Sequence, residues 1–333
     1  MQRLIFEGEE MEDERMLHSC YIRQPKGVLA KTMTDKTFIL IEDKIQQYIL
    51  KSKTKFIIDD NKQKCSSCKT FHSTYTIESL LFENENTMVF VGKNKLSHLQ
   101  VAIKLFKVRD YRRYLEENIP EEFLIQKIAE KVKVQNGKGT VLKVIDWYVY
   151  DDQIIIVSEY DKHFKSLHDC TTKKDNKHFS EKGSKTIFKL MFDLVRKLNG
   201  ICIFHLDLKP SNVLYNVINQ EMKLIDFGHA ISVLPGEFPL VSKNCGTKGL
   251  RTPQQVNNEE CYGNDVDLWG VGQTVFFCLQ GYYAFRDDNE VTSKELKFNI
   301  EVSENCKDFL TRMLAKNVED RISPEEVLDH PWL

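Results

Sequence analysis

The stretch that most constrains this chain runs from Phe204 to Gly228, FHLDLKPSNVLYNVINQEMKLIDFG. Asp207, Lys209 and Asn212 stand together in a short polar loop, and Asp226 follows a strand-like segment at 223–225. Two carboxylates, an amide and an ammonium are thus spaced across two loops with a strand between them. Oxygen donors of this kind suit hard divalent cations, and a carboxylate beside a lysine suits proton handling.

The chain has 333 residues, enough for two bodies with cores of their own plus an extension. Its 47 basic and 49 acidic residues nearly cancel, so no nucleic-acid or membrane partner is expected. No apolar run is long enough to span a bilayer, and the acidic residues 7–14 do not read as a secretory leader. The nine cysteines are scattered and odd in number, which reads as reduced thiols of an intracellular protein, cytoplasmic or nuclear.

Residues 1–74 read as an extension of unknown role. Apolar residues at 37–49 fall at helix-like spacing. Cys65 and Cys68, with His72 behind them, supply half of a zinc site, and His18 and Cys20 are the nearest second pair. A plain surface loop carrying two thiols is the expected outcome.

Strands are expected at 75–82, 88–92 and 99–106, the last carrying Val101-Ala102-Ile103-Lys104. A lysine in an apolar strand either snorkels to water at an edge or meets a partner, because an unpaired buried ammonium is costly. A helix is expected over 120–128. Glu121 there has apolar residues at i+3, i+4 and i+7, which makes it the first choice of partner for Lys104 and Glu122 the second. Residues 144–160 read as a hairpin turning at Asp151-Asp152, and 185–198 as an amphipathic helix before the polar loop.

His205-x-Asp207 with Asn212 five residues on, then Asp226-Phe227-Gly228, with VAIK upstream, resembles the catalytic and magnesium loops of the eukaryotic protein kinases. The resemblance covers 75–333 and implies an α+β, bilobal fold. A small antiparallel sheet with one key helix would occupy 75–159, and a larger, mainly helical lobe 160–333. It implies ATP and Mg2+ as cofactors and protein substrates with Ser/Thr acceptors, with a regulatory protein partner possible. Lys209, two positions after Asp207, follows the serine/threonine pattern. Locally, KPSNVLYN and GTKGLRTPQ most resemble the cell-division-cycle kinase that triggers replication origins.

By this resemblance Asp207, Lys209 and Lys104 are the catalytic set, and Asn212 and Asp226 the metal ligands. Lys104 and Glu121 would serve the phosphates. Val89, Ala102 and Leu214 would sandwich the base, with Glu159 and Tyr160 in the hinge beside it. The glycine-rich loop of the family is missing: 82–87 reads FENENT, and Glu83 and Glu85 bring negative charge to where phosphates would lie. Weak nucleotide binding is therefore expected, and a pseudokinase scaffold is the alternative reading.

Further matches are Asp267-x-Trp269-x-x-Gly272, the terminal HPWL, and Gln254 where the family has a glutamate facing an arginine, here Arg321. Leu206 replaces the arginine that usually pairs with an activation-loop phosphate. Lys243 occupies the place of the phosphorylated residue, with Ser242 beside it. Activity without that phosphorylation is the expectation.

Overall fold

The computed structural model describes residues 4–6, 9–11 and 71–333, apart from 86, 108–120, 136, 151–152, 174–177, 235–236, 238 and 242–244. The expected helix at 37–49 and the residues Cys65, Cys68, His18 and Cys20 lie outside the described residues. Near the N-terminus β1 (Leu4–Phe6) pairs antiparallel with β2 (Glu9–Met11). By its contacts the chain divides into two units: Thr32–Glu130 with Leu142–Lys162, and Met1–Lys31, Lys131–Val141 and His163–Leu333.

The chain continues through β3 (Tyr75–Glu83), β4 (Thr87–Asn94), β5 (Gln100–Lys107) and α1 (Glu121–Ala129). Next come β6 (Lys133–Val134) and β7 (Gly139–Val141), which belong to the larger unit. β8 (Val144–Tyr150) and β9 (Gln153–Glu159) return to the smaller one. In the smaller unit the strands form an antiparallel sheet in the order β3-β4-β5-β9-β8.

The alternation of β5 decides what each sheet face holds. Val101 and Ile103 point to one face and pack with Ile155, Val157, Tyr75, Tyr148 and Phe71. Phe106 points to the other, where it packs with Ile154, Ile156, Val144 and Phe123 of α1. Residues 71–74 are helical, and Phe71, 1% exposed, lies with its ring 5.3 Å from that of Tyr148 and 5.8 Å from that of Tyr75. Among the described residues this core thus includes Phe71, four residues upstream of the sequence match expected to begin at Tyr75. The last turn of α1 is stitched to the start of β8: Lys127 Nζ donates to Val144 O at 2.7 Å, and Glu130 accepts from Val144 N at 3.1 Å.

The larger unit continues with β10 (Lys165–Ser166), α2 (Leu167–Thr172), α3 (Glu181–Gly200) and β11 (Ile203–Phe204). A 3-10 turn, Pro210–Asn212, leads into β12 (Val213–Asn216), β13 (Glu221–Leu224) and β14 (Ile231–Ser232). Then follow α4 (Pro253–Asn257), α5 (Gly263–Gln280), α6 (Asp288–Ser293), α7 (Glu304–Met313) and α8 (Pro324–Leu328). Ser180 caps α3 by accepting from Gly183 N at 3.2 Å, and the helix buries an apolar stripe. α5 is apolar almost all round and buried almost throughout, as a helix at the centre of a body must be. β12 and β13 form an antiparallel hairpin, and β13 also takes β7 as a parallel neighbour. Among the described residues no helix is long and apolar enough to cross a membrane.

Candidate active site

In the smaller unit, Lys104 shares its sheet face with Ala102 and Phe106, the face that α1 covers. Its Nζ lies 2.7 Å from Glu122 Oε1 and 5.2 Å from the centre of the Phe106 ring. The carboxylate on the lysine is thus the second of the pair, a correction to the expectation of Glu121. One residue turns a helix by about 100°. That rotation places Glu122, 3% exposed, among the buried Phe123, Leu124 and Ile125. Glu121 opens the helix and stays half-buried.

Val89 is the cross-strand partner of Lys104, and Ala102 that of Ser158, so these residues share one sheet face. Glu159 ends β9; its amide donates to Lys143 O and its side chain accepts from Lys143 N, both at 2.9 Å. Tyr160 follows, half-buried. The glycine-free turn closes on itself, since Asn84 N donates to Thr87 O at 2.9 Å and Thr87 N to Asn84 Oδ1 at 2.8 Å. Glu83 and Glu85 beside it are exposed.

In the larger unit, Asp207 is the hub of a dense network and is only 6% exposed. Lys209 Nζ lies 2.6 Å from its Oδ2, and Asn212 Nδ2 donates to Oδ2 at 3.1 Å and to its backbone oxygen at 2.9 Å. Thr247 donates to Oδ1 twice, from Oγ1 at 2.6 Å and from its amide at 3.0 Å. Lys209 Nζ also donates to Thr247 Oγ1 at 2.7 Å.

The backbone beneath is strained: Leu206 has φ 63° and Asp226 φ 65°, a region that non-glycine residues seldom adopt. Asp267 of α5 holds this loop by accepting from His205 N at 3.0 Å and Leu206 N at 2.8 Å. Burial pushes its pKa up to about 7, against the lowering effect of those two amides and of Asn199. His205 is buried at 1% exposure, and desolvation lowers its pKa. Nε2–H donates to Ile225 O at 3.0 Å, and the ring lies 4.7 Å from that of Phe227. Ile225 N donates in turn to Asn212 O at 3.0 Å, so Asn212 and Asp226 leave adjacent strands at one end of the hairpin. Leu214, half-buried, lies on β12 between Ser166 and Lys223.

Leu206 is buried with Cys202, Phe204, Cys261 and Val266, and Ile231, Val233, Val241 and Cys245 pack against this cluster. Ser242 and Lys243 lie outside the described residues. Gln254 accepts from Arg321 at 2.9 Å and donates to Lys316 O at 2.8 Å, the amide-for-carboxylate exchange expected from the sequence. Thr247 and the grip of Asp267 on the loop were missed by sequence reasoning, although both residues lie within motifs quoted from it.

Asn212 brings an amide oxygen beside the nitrogen that donates to Asp207, and Asp226 brings a carboxylate. This all-oxygen donor pair suits Mg2+, which keeps several waters and phosphate oxygens in its shell. Among the described residues there is no group of three or more His, Cys, Asp or Glu of the kind that cages a metal without such help.

Residues 75–333 match the family described as "Protein kinase domain". The chain is 27% identical over 271 residues to "Myosin light chain kinase A" of Dictyostelium discoideum, covering 78% of this chain and 88% of that protein. It is 23% identical over 270 residues to "Serine/threonine-protein kinase pim-2" of Danio rerio, covering 79% and 86%. It is 32% identical over 168 residues to "Calcium-dependent protein kinase 21" of Oryza sativa subsp. japonica, covering 47% and 29%. With that match over three quarters of its length, and with the motif residues in the family's order, this chain belongs to the protein kinase family.

Proposed function

We propose that this chain is an active serine/threonine protein kinase, transferring the γ-phosphate of ATP to hydroxyls of protein substrates. The single observation that carries this reading is the Asp207 network: a buried carboxylate braced by Lys209, Asn212 and Thr247. Such a carboxylate can orient an acceptor hydroxyl and take its proton. Lys209 neutralises charge beside it. Lys104, held by Glu122, would hold the phosphates, and Asn212 and Asp226 the magnesium, which when bound offsets phosphate charge. Val89, Ala102 and Leu214 would contact the base, with the backbone of Glu159 and Tyr160 bonding its edge. The two named serine/threonine or light-chain kinases among the relatives support a protein hydroxyl as acceptor. The dispersed thiols favour an intracellular setting, and a regulatory protein partner fits the extension at 1–74.

The glycine-free turn favours a second reading, a pseudokinase scaffold. The Thr87 amide is committed to Asn84, and two exposed glutamates flank the turn, so it offers phosphate less than a glycine-rich loop does. Transfer of radiolabelled phosphate from ATP to generic protein substrates, wild type against Asp207→Asn, separates the two. The kinase reading expects transfer to serine and threonine by the wild type and its loss in the variant. No transfer by the wild type, with no thermal shift at millimolar ATP and Mg2+, would establish the scaffold.

A further inference from the structure

Two residues beyond Thr247 the same segment is gripped a second time, by a carboxylate that the roles above leave unused. Gly249 N donates at 2.7 Å to Oδ1 of Asp288, the first residue of α6. Oδ2 of that carboxylate lies 3.9 Å from Arg251 Nη1. Gly249 has φ 78°, and a Cβ built there would come within 2.9 Å of Arg286 O and 3.3 Å of Arg286 C. Glycine therefore lets this backbone lie against the turn before α6, where a side chain would push it away. The turn is itself held, since Glu290 accepts from Arg286 N at 2.9 Å, from Arg286 Nε at 2.7 Å and from Lys294 Nζ at 2.9 Å. Asp287 caps α6 by accepting from Glu290 N at 3.0 Å. Behind the segment, Gln255 of α4 donates to Cys245 O at 3.1 Å, and α4 packs against α6.

We infer that Asp288 is a positioning residue for phosphoryl transfer: by holding the Gly249 amide it keeps the Thr247 hydroxyl between Asp207 and Lys209. Only Lys248 separates Gly249 from Thr247, and two residues of extended chain span about 7 Å. A shift of the Gly249 amide is therefore passed to Thr247, which donates to Asp207 at 2.6 Å and accepts from Lys209 at 2.7 Å. The grip is a charge-assisted bond to backbone, so it restrains the chain itself and not one rotamer. A displacement of about 1 Å at reacting groups can cost about a hundredfold in rate, so a modest loosening is enough to matter. The Asp288 side chain is 31% exposed, so replacing it releases the amide without emptying a core. The inference rests on the kinase reading and adds to it a residue outside the motifs quoted above.

The test uses the full chain, with casein and protamine as acceptor proteins. Wild type, Asp288→Ala, Asp288→Asn, Asp288→Ser, Thr247→Ala and the double variant Thr247→Ala with Asp288→Ala are compared, with thermal melting to confirm folding. Asp288→Ala should lower kcat by about tenfold or more while changing KM for ATP by less than about twofold. Asp288→Asn keeps an oxygen for the Gly249 amide and should hold kcat within about threefold of wild type. In the Thr247→Ala background Asp288→Ala should cost less than about threefold, because the hydroxyl it positions is already gone. Asp288→Ser, whose hydroxyl is shorter than the carboxylate, serves where the alanine variant does not fold. An unchanged kcat in the folded alanine or serine variant, equal losses for asparagine and alanine, or additive losses in the double variant overturns this inference alone. So does a KM for ATP that rises as far as kcat falls. A wild-type chain that phosphorylates neither protein overturns it together with the kinase reading.

Discussion

Thr247 and Asp207 are 40 residues apart in sequence, and the threonine hydroxyl donates to the aspartate at 2.6 Å while accepting from Lys209 at 2.7 Å. The hydroxyl therefore fixes the relative position of the carboxylate and the ammonium. Thr247→Ala should lower kcat by about a hundredfold, the low end of the range for losing one well-aimed donor. Thr247→Ser should restore most of it. Equal rates for the alanine and serine variants in a steady-state assay would show that the hydroxyl positions nothing.

The Lys104–Glu122 pair makes a second, separable prediction. Glu122→Ala leaves the ammonium without its carboxylate at 2.7 Å and should weaken nucleotide binding about tenfold or more. Glu121→Ala should weaken it less than Glu122→Ala does, because Glu122 is the carboxylate at 2.7 Å from the Lys104 ammonium. Thermal-shift titration with ATP and Mg2+ reads both. A larger effect at Glu121 would reverse the assignment.

Asp267 should make stability depend on pH with a definite sign. Its folded pKa of about 7 lies above its unfolded value of about 3.9. Its contribution is thus fully present below about pH 4 and is lost as pH rises through 7, by at most about 4 kcal/mol. Relative to Asp267→Asn, the wild type should lose stability between pH 4.5 and pH 7.5 in urea unfolding. A gap between the two proteins that stays constant over this range would refute the shift.

Phe71 belongs to the core of the smaller unit, upstream of Tyr75. Buried at 1% exposure against Tyr75 and Tyr148, it should cost about 3–5 kcal/mol when replaced by alanine. A chain starting at Phe71 should melt well above one starting at Tyr75. Equal melting temperatures would show that the ring contributes no stability.

Leu206 should remove the need for an activating phosphate. It is 2% exposed in an apolar cluster against which Val241 and Cys245 pack, so apolar contact ties it to those two residues where the family uses an arginine and a phosphate. Phosphatase treatment of active enzyme should leave its rate unchanged, with mass spectrometry over 229–252 as the check. Activity that falls as phosphate leaves Ser242 or Thr247 would overturn this.

The order and spacing of VAIK, His205-x-Asp207, Asn212 and Asp226-Phe227-Gly228 were legible in the sequence, because covalent spacing carries them. Local periodicity carried more. The apolar run at 99–106 marked β5, and the helix-like spacing at 185–198 marked α3. The tertiary structure alone decided what lies far apart in the chain. The choice of Glu122 over Glu121 depends on the rotation of α1 about its axis, which Phe123 fixes by packing under β5. The contacts of Thr247 with Asp207 and of Asp267 with the loop amides join segments 40 and some 60 residues apart. Phe71 reads as the end of an extension until Tyr148, on a strand 77 residues later, closes over it. No periodicity encodes such pairings, because they are set by which faces the packed elements bury against one another.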